Sequence, residues 1–279
     1  MKNLDPKVAE IAKNFMIFVE SVRNKFQSAN PLEQLTSQMK NIDSASIAEG
    51  WNKAAKIWPA IESPDNYFIT MYTLLEHLRQ IKKREKWLSL GSGPALYEIW
   101  LSQLTDIEFY ATDIATEMCK LSEDIQKGTT IANIPGKKVK KVRTFTMPME
   151  KLGFKDGFFD QIISINALQW VPQWKKTIKE MRRVIKTDSQ GYLYLITTAY
   201  PIEVKNELGE KRVIADISHE AIMDELEVNQ FEIIFFRAML VRFGQLGIPA
   251  SRYFIKAQLN LKNLESWRTR KPKPSVTLA

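Results

Sequence analysis

Trp87-Leu-Ser-Leu-Gly-Ser-Gly-Pro-Ala-Leu-Tyr-Glu-Ile-Trp100 is the stretch on which the rest of the chain turns. Trp87 to Leu90 form a short apolar run that reads as a buried strand. Gly91, Ser92 and Gly93 break it, and from Pro94 onward Leu96, Ile99, Trp100 and Leu104 return at helical spacing. The reading is strand, glycine turn, helix. Glycines suit the turn because the backbone must bend tightly and because a ligand can approach without meeting a Cβ. Pro94 suits a helix start, where its missing N–H costs nothing. The free N–H groups of a first helical turn favour a polar or anionic ligand group.

The next apolar run, Phe109-Tyr110-Ala111-Thr112, ends in Asp113. In a parallel sheet, an acid about 20 residues beyond the glycine turn sits at the tip of the neighbouring strand and accepts the hydroxyls of a ribose.

On these residues a resemblance can be stated. Leu88 to Ala95 resembles motif I of the class I S-adenosylmethionine (SAM)-dependent methyltransferases, and Phe109 to Lys120 resembles motif II. Met149-Glu150-Lys151-Leu152-Gly153-Phe154 and Gly157 to Ser164 are similar to the adenine loop and fourth strand. Asn166-Ala167-Leu168-Gln169-Trp170-Val171-Pro172 is similar to the segment after that strand in the type 11 group, the trans-aconitate and malonyl-carrier O-methyltransferases in particular. The resemblance implies an α/β, Rossmann-like seven-stranded sheet of order 3-2-1-4-5-7-6, with the last strand antiparallel and an N-terminal helical lid. It implies SAM as cofactor, with S-adenosylhomocysteine (SAH) as product. It assigns cofactor contacts to Leu90, Gly91, Ser92, Gly93, Asp113, Ile114, Met149, Glu150 and Asn166. Three positions depart from the pattern. Ser89 stands where an acid near the methionine end of the cofactor is usual, Pro148 where an Asp often reaches the adenine, and Ala95 where a third glycine is usual.

The 279-residue chain is 44% hydrophobic and 26% charged, with net charge +8. That is ordinary for a globular protein with one large core and an accessory segment. We divide it into a helical lid over 1–80, a methyltransferase core over 81–265 and a basic, disordered tail over 266–279. No run of 18 apolar residues occurs, so no membrane span is expected. The N-terminus has no secretory pattern, and the one cysteine, Cys119, fits a reducing cytosol. Two histidines and one cysteine make no zinc-spaced cluster, so no metal is expected. Oligomeric state is not readable.

Basic runs at Lys82-Lys83-Arg84, at Lys137 to Arg143 and at Arg268 to Lys273 would attract nucleic acid or an anionic surface. They lack interleaved aromatics, and we read them as solvated faces. In the lid, helices are expected at Val8–Val19, Leu35–Met39, Ile47–Trp58 (capped by Ser44) and Phe68–Leu78, with Trp51, Trp58, Tyr67 and Tyr72 available to a pocket. Later strands are expected at Val139–Phe145, Phe159–Ile165, Tyr192–Thr198, Phe231–Arg237 and Tyr253–Leu259, with an acceptor-facing loop over 199–217.

Methyl transfer from a sulfonium is an in-line displacement with the leaving group already activated, so the protein mainly supplies proximity and alignment. The function expected is methylation of a small molecule at an oxygen, carboxylate or hydroxyl. Asn166, Tyr200 and His219 are the candidates for orienting or deprotonating the acceptor. The basic runs keep an RNA or protein methyltransferase open as an alternative. Ser89 and Pro148 keep open a non-catalytic domain that binds a partner.

Overall fold

A computed structural model describes residues 5–23, 43–55, 64–78, 81–82, 84–128, 142–187, 191–198, 202–205, 210–243 and 248–260. Three helices come first: α1 (Pro6–Arg23), α2 (Ser44–Ala54) and α3 (Pro64–His77). The core follows as β1 (Lys86–Leu90), α4 (Leu96–Leu104), β2 (Glu108–Asp113), α5 (Thr116–Gly128), β3 (Arg143–Thr146) and β4 (Gln161–Ile165). After a 3-10 turn at Leu168–Trp170 come α6 (Trp174–Val184) and β5 (Tyr192–Thr197). A small hairpin, β6 (Glu203–Lys205) with β7 (Lys211–Val213), precedes α7 (His219–Val228), β8 (Phe231–Phe243) and β9 (Ile248–Leu259).

The main sheet has seven strands in the order β3-β2-β1-β4-β5-β9-β8. Setting the hairpin aside, that is the expected 3-2-1-4-5-7-6. Strands β1 to β5 pair in parallel, and β9 runs antiparallel to both β5 and β8. The period of two sends alternate residues to opposite faces. Trp87, Ile163, Tyr194 and Ile196 enter one core, shared with α1, α3 and α4. Leu88, Leu90, Ile162, Leu193 and Leu195 enter the other, shared with α6 and α7.

The first face is aromatic. Phe15 lies 4.8 Å from Tyr97, Phe18 stacks on Trp100 at 5.5 Å, and Trp87 stacks on Tyr194 at 5.8 Å, between ring centroids. Tyr72 belongs to this core, and its hydroxyl accepts the Asp5 N–H at 3.0 Å. Helix α1 is therefore fastened to the sheet through α4, while α3 also meets the sheet directly, His77 stacking on Phe254 at 5.2 Å.

Several boundaries differ from expectation. Residues 199–217 hold the β6–β7 hairpin rather than only a loop. Strand β8 runs on to Phe243 and β9 begins at Ile248, because each supplies the other's hydrogen-bond partners beyond the sheet body. Asp43, not Ser44, caps α2, its carboxylate accepting the Ser46 N–H at 2.8 Å. The first core helix starts at Leu96 rather than Pro94, because Ala95 is left-handed at φ 57°. The expected helix at 35–39, Trp58, most of the basic run at 137–143 and the tail lie outside the described residues.

Candidate functional site

The carboxyl ends of β1, β2 and β4 open into a cavity with an empty volume of about 980 Å³, open solvent at its mouth included. Its floor is the glycine turn. Gly91 and Gly93 are left-handed at φ 62° and 54°. A Cβ on Gly91 would overlap the Cβ of Ala167 and come within 2.8 Å of Cε of Met149. Only glycine fits both the dihedral and the space there. Two hydrogen bonds hold the turn against β2: the Ser92 N–H donates to the Thr112 carbonyl at 2.9 Å, and the Thr112 side-chain hydroxyl donates to the Ser89 carbonyl at 3.0 Å.

Asp113, at the tip of β2, accepts the Gly93 N–H on Oδ2 at 2.8 Å and the Ala115 N–H on Oδ1 at 2.9 Å. Burial pushes its carboxyl up to about 6, against the pull of the Ala115, Gly93 and Ile114 N–H groups. Each oxygen retains a second lone pair, and the residue lines the cavity.

Glu98 is the second buried acid. It is the one charged residue of α4, a helix in which every residue from Leu96 to Gln103 is buried. Ser89 shares the Trp87 face of β1, the face that α4 covers, and its hydroxyl donates to Glu98 Oε1. Among the described residues Oε2 has no hydrogen-bond partner. Burial pushes the Glu98 carboxyl up to about 7, with the Ser89 hydroxyl and the residue's own backbone N–H opposing.

The roof is α2, which contributes Ser44, Ile47 and Trp51 to the lining. The Ser44 hydroxyl donates to Glu150 Oε1 at 2.8 Å. At the other end the Asn52 amide oxygen accepts the Glu117 N–H at 2.9 Å. Trp51 meets Trp170 edge to face at 4.9 Å, and Ile47 packs with Ile214 beside them. Met147, Met149 and Tyr67 also line the cavity. So does Asn166, left-handed at φ 55°, whose buried Oδ1 has no partner among the described residues.

Residues 88–195 match the family model of a methyltransferase domain. Over those residues the chain is similar to a methyltransferase domain, and its seven-stranded sheet has the order of the Rossmann-like methyltransferase fold. Solved structures agree on the fold. A SAM-dependent methyltransferase from Methanosarcina mazei is 20% identical with a TM-score of 0.55, covering 65% of this chain and 95% of that one. The [4+2]-cyclase SpnF is 14% identical with a TM-score of 0.53, over 70% and 82%. The YcgJ protein of Bacillus subtilis is 14% identical with a TM-score of 0.51, over 67% and 97%. At these identities the likeness shows the fold alone, and a fold shared with a cyclase does not by itself assign a reaction. No curated protein matches the chain.

SAM is the cofactor that the methyltransferase match implies. The lining fits it. Its charged groups among the described residues are Glu98, Asp113 and Glu150, with no Lys, Arg or His, in a chain of net charge +8. That composition suits a cationic sulfonium nucleoside.

Of the residues singled out from the methyltransferase motifs, Gly91, Ser92, Gly93, Asp113, Ile114, Met149, Glu150 and Asn166 are brought together around the cavity. Leu90 is not: its side chain is in the α6 and α7 core, and its carbonyl accepts the Ser164 hydroxyl at 3.1 Å. His219 is not either. It starts α7 and stacks on Tyr253 at 4.5 Å and Phe236 at 5.4 Å. Tyr200 lies outside the described residues.

Sequence reading missed Glu98, Ser44, Ile47 and Tyr97. For Glu98 a signal existed: a single acid inside an otherwise apolar helix, next to a ligand-binding turn. Among the described residues no group of three His, Cys, Asp or Glu could hold a metal ion, and no helix is long and apolar enough to cross a membrane.

Proposed function

We propose that the protein transfers the methyl group of SAM to an oxygen of a small-molecule acceptor. The observation that carries this reading is the cavity lining: a glycine turn and buried Asp113 at one end, aromatic walls at the other, and carboxylates as the charged groups of the described lining. Asp113 would hold the ribose, Met149 and Ile114 would flank the adenine, and the Gly91 to Gly93 backbone would admit the amino-acid chain. When bound, the cofactor supplies a methyl group on an already activated leaving group.

The chain's own residues supply proximity and a dry, shaped space. Trp51, Trp170 and Tyr67 exclude water and present ring faces that favour a cation. Asn166 can accept a hydrogen bond from the acceptor on its unpartnered Oδ1. A carboxylate acceptor is attacked as it stands, whereas a hydroxyl must pass its proton to a base, for which the described lining offers the carboxylates of Glu98, Asp113 and Glu150. We place α2 in the role of lid within the 1–80 segment, ahead of a core over 81–265, and the single Cys119 fits a cytoplasmic setting.

Calorimetric titration with SAM and SAH tests the cofactor half of this reading. Wild type binds both, and Asp113→Ala weakens both by about 1–3 kcal/mol, the cost of stranding polar groups. Absence of binding by wild type would overturn the reading in favour of a non-catalytic, partner-binding domain. SAH release across a panel of hydroxyl and carboxylate compounds, RNA and protein tests the acceptor. Turnover confined to RNA or protein would overturn the small-molecule assignment.

A further inference from the structure

We infer that Glu98, held by the Ser89 hydroxyl, is the carboxylate that receives the α-ammonium of the bound cofactor. This rests on the SAM reading above and assigns to this chain's own residues the end of the cofactor that the glycine turn leaves unexplained. Ser89 lies where an acid is usual, so the carboxylate comes from the adjacent helix instead of the strand.

Three observations lead there. Glu98 is 2% exposed, yet only one of its oxygens is hydrogen-bonded among the described residues. A buried carboxylate with an unmade bond costs far more than it returns unless something fills the vacancy. Glu98 lines the cavity beside Gly91, Ser92 and Gly93, the turn that admits the cofactor's amino-acid chain. The other titratable groups of the described lining are Asp113, Glu150, Tyr67 and Tyr97, none of which is a cation. The ligand must therefore bring the positive charge, and an ammonium with three donors matches the free oxygen. Occupancy would also return Glu98 toward its ordinary ionisation by placing an opposite charge against it.

Ser89 is then a positioning residue. Its hydroxyl occupies Oε1 and leaves Oε2 for the ligand, so the pair presents one carboxylate oxygen rather than a freely rotating acid.

The test is calorimetric binding of SAH and of 5′-methylthioadenosine, which keeps the nucleoside and thioether but lacks the aminocarboxypropyl chain. Wild type, Glu98→Gln and Ser89→Ala are compared. In Glu98→Gln, SAH is expected to weaken roughly 10- to 100-fold while methylthioadenosine stays within about twofold. In Ser89→Ala, SAH weakens less, roughly 3- to 10-fold, again with methylthioadenosine unchanged. Retained methylthioadenosine binding doubles as the control that the site is folded. If Glu98→Gln does not fold, the same selective loss in Ser89→Ala carries the test.

Unchanged SAH affinity in Glu98→Gln overturns the proposal and leaves the cofactor reading standing. Equal weakening of both ligands overturns it too, since Glu98 would then shape the site as a whole. Tighter SAH binding in Glu98→Gln would mean the cofactor carboxylate lies there, and overturns it as well. Failure of wild type to bind SAH overturns both readings together.

Discussion

The floor and the roof of the cavity are built in different ways. The floor is the ends of β1 and β2 with the turn that continues β1, locked by the Ser92 N–H to the Thr112 carbonyl and by the Gly93 and Ala115 N–H groups to the buried Asp113 carboxylate. Its dihedrals and spacing allow almost no substitution. The roof is a separate helix, α2, tied through side chains: Ser44 to Glu150, Asn52 to the Glu117 N–H, and the Trp51–Trp170 contact. Bonds of that kind can be remade when a helix shifts, whereas a strand-end turn cannot move without the sheet. A fixed floor orients a cofactor, and a side-chain-tethered roof can admit and cover an acceptor.

The largest way to break this contrast is Gly91→Val. The new Cβ meets Ala167 and Met149 at a left-handed φ, and strain plus overpacking together cost about 2–6 kcal/mol. We expect chemical denaturation to show that loss and calorimetry to show no SAH binding. A valine variant with parental SAH affinity would mean the floor is not rigid.

The two buried acids of the floor give the next effect. Glu98 ionises near 4.5 when unfolded and at about 7 when folded. Asp113 goes from 3.8 to about 6. Between those values the folded chain binds more protons than the unfolded chain, so stability is greatest below pH 4 to 4.5 and falls as pH rises to about 7. Glu98 alone accounts for about 3 kcal/mol of that fall. Other groups add their own pH dependence, so the readout is a difference: wild type loses stability relative to Glu98→Gln as pH is raised from 4 to 8. Saturating SAH should shrink that difference. Parallel stability curves for the two proteins would show that Glu98 is not held in a raised state.

On the roof, Ser44→Ala removes one hydrogen bond to the half-buried Glu150, a loss of about 1 kcal/mol. Because the floor is untouched, SAH affinity should hold while the acceptor KM rises. An equal loss of SAH binding would mean that roof and floor act as one body.

The smallest effect is Ala95→Gly. Ala95 sits at φ 57°, and relieving a left-handed alanine returns about 1–2 kcal/mol, offset by about 0.5–1 kcal/mol of extra chain entropy. A net gain of about 0.5 kcal/mol in denaturation is expected, with binding unchanged. A loss of stability would show that the Ala95 methyl, fully buried, contributes more by packing than its dihedral costs.

Much of the floor was readable in advance, and for a physical reason. Strand, glycine turn, helix and acid are local patterns: each needs only its neighbours in sequence. Met149, Glu150 and Asn166 were reached through the resemblance of their segments to methyltransferase motifs. The far end of β8 was read short because Leu240 places an apolar side chain toward solvent, which blurs the alternation that marks a strand. That His219 lies away from the cavity lining was not readable, because a histidine at a helix start carries no sign in sequence of which way that helix faces.

By itself the sequence determined the glycine turn and the acid at the tip of β2, since hydrophobic period and turn chemistry are short-range properties, while the sheet order is what the resemblance of its motifs to the methyltransferases implies. Only the tertiary structure decided that Ser89 meets Glu98 and that α2 roofs the cavity. Those contacts depend on which face of β1 the helix α4 covers and on where a segment forty residues upstream of the turn comes to rest. Packing of the aromatic face settles the first, through Trp87, Tyr97, Trp100 and the α1 phenylalanines that hold α4 in place, and the contacts of α2 with Ala115, Met118, Trp170 and Ile214 settle the second.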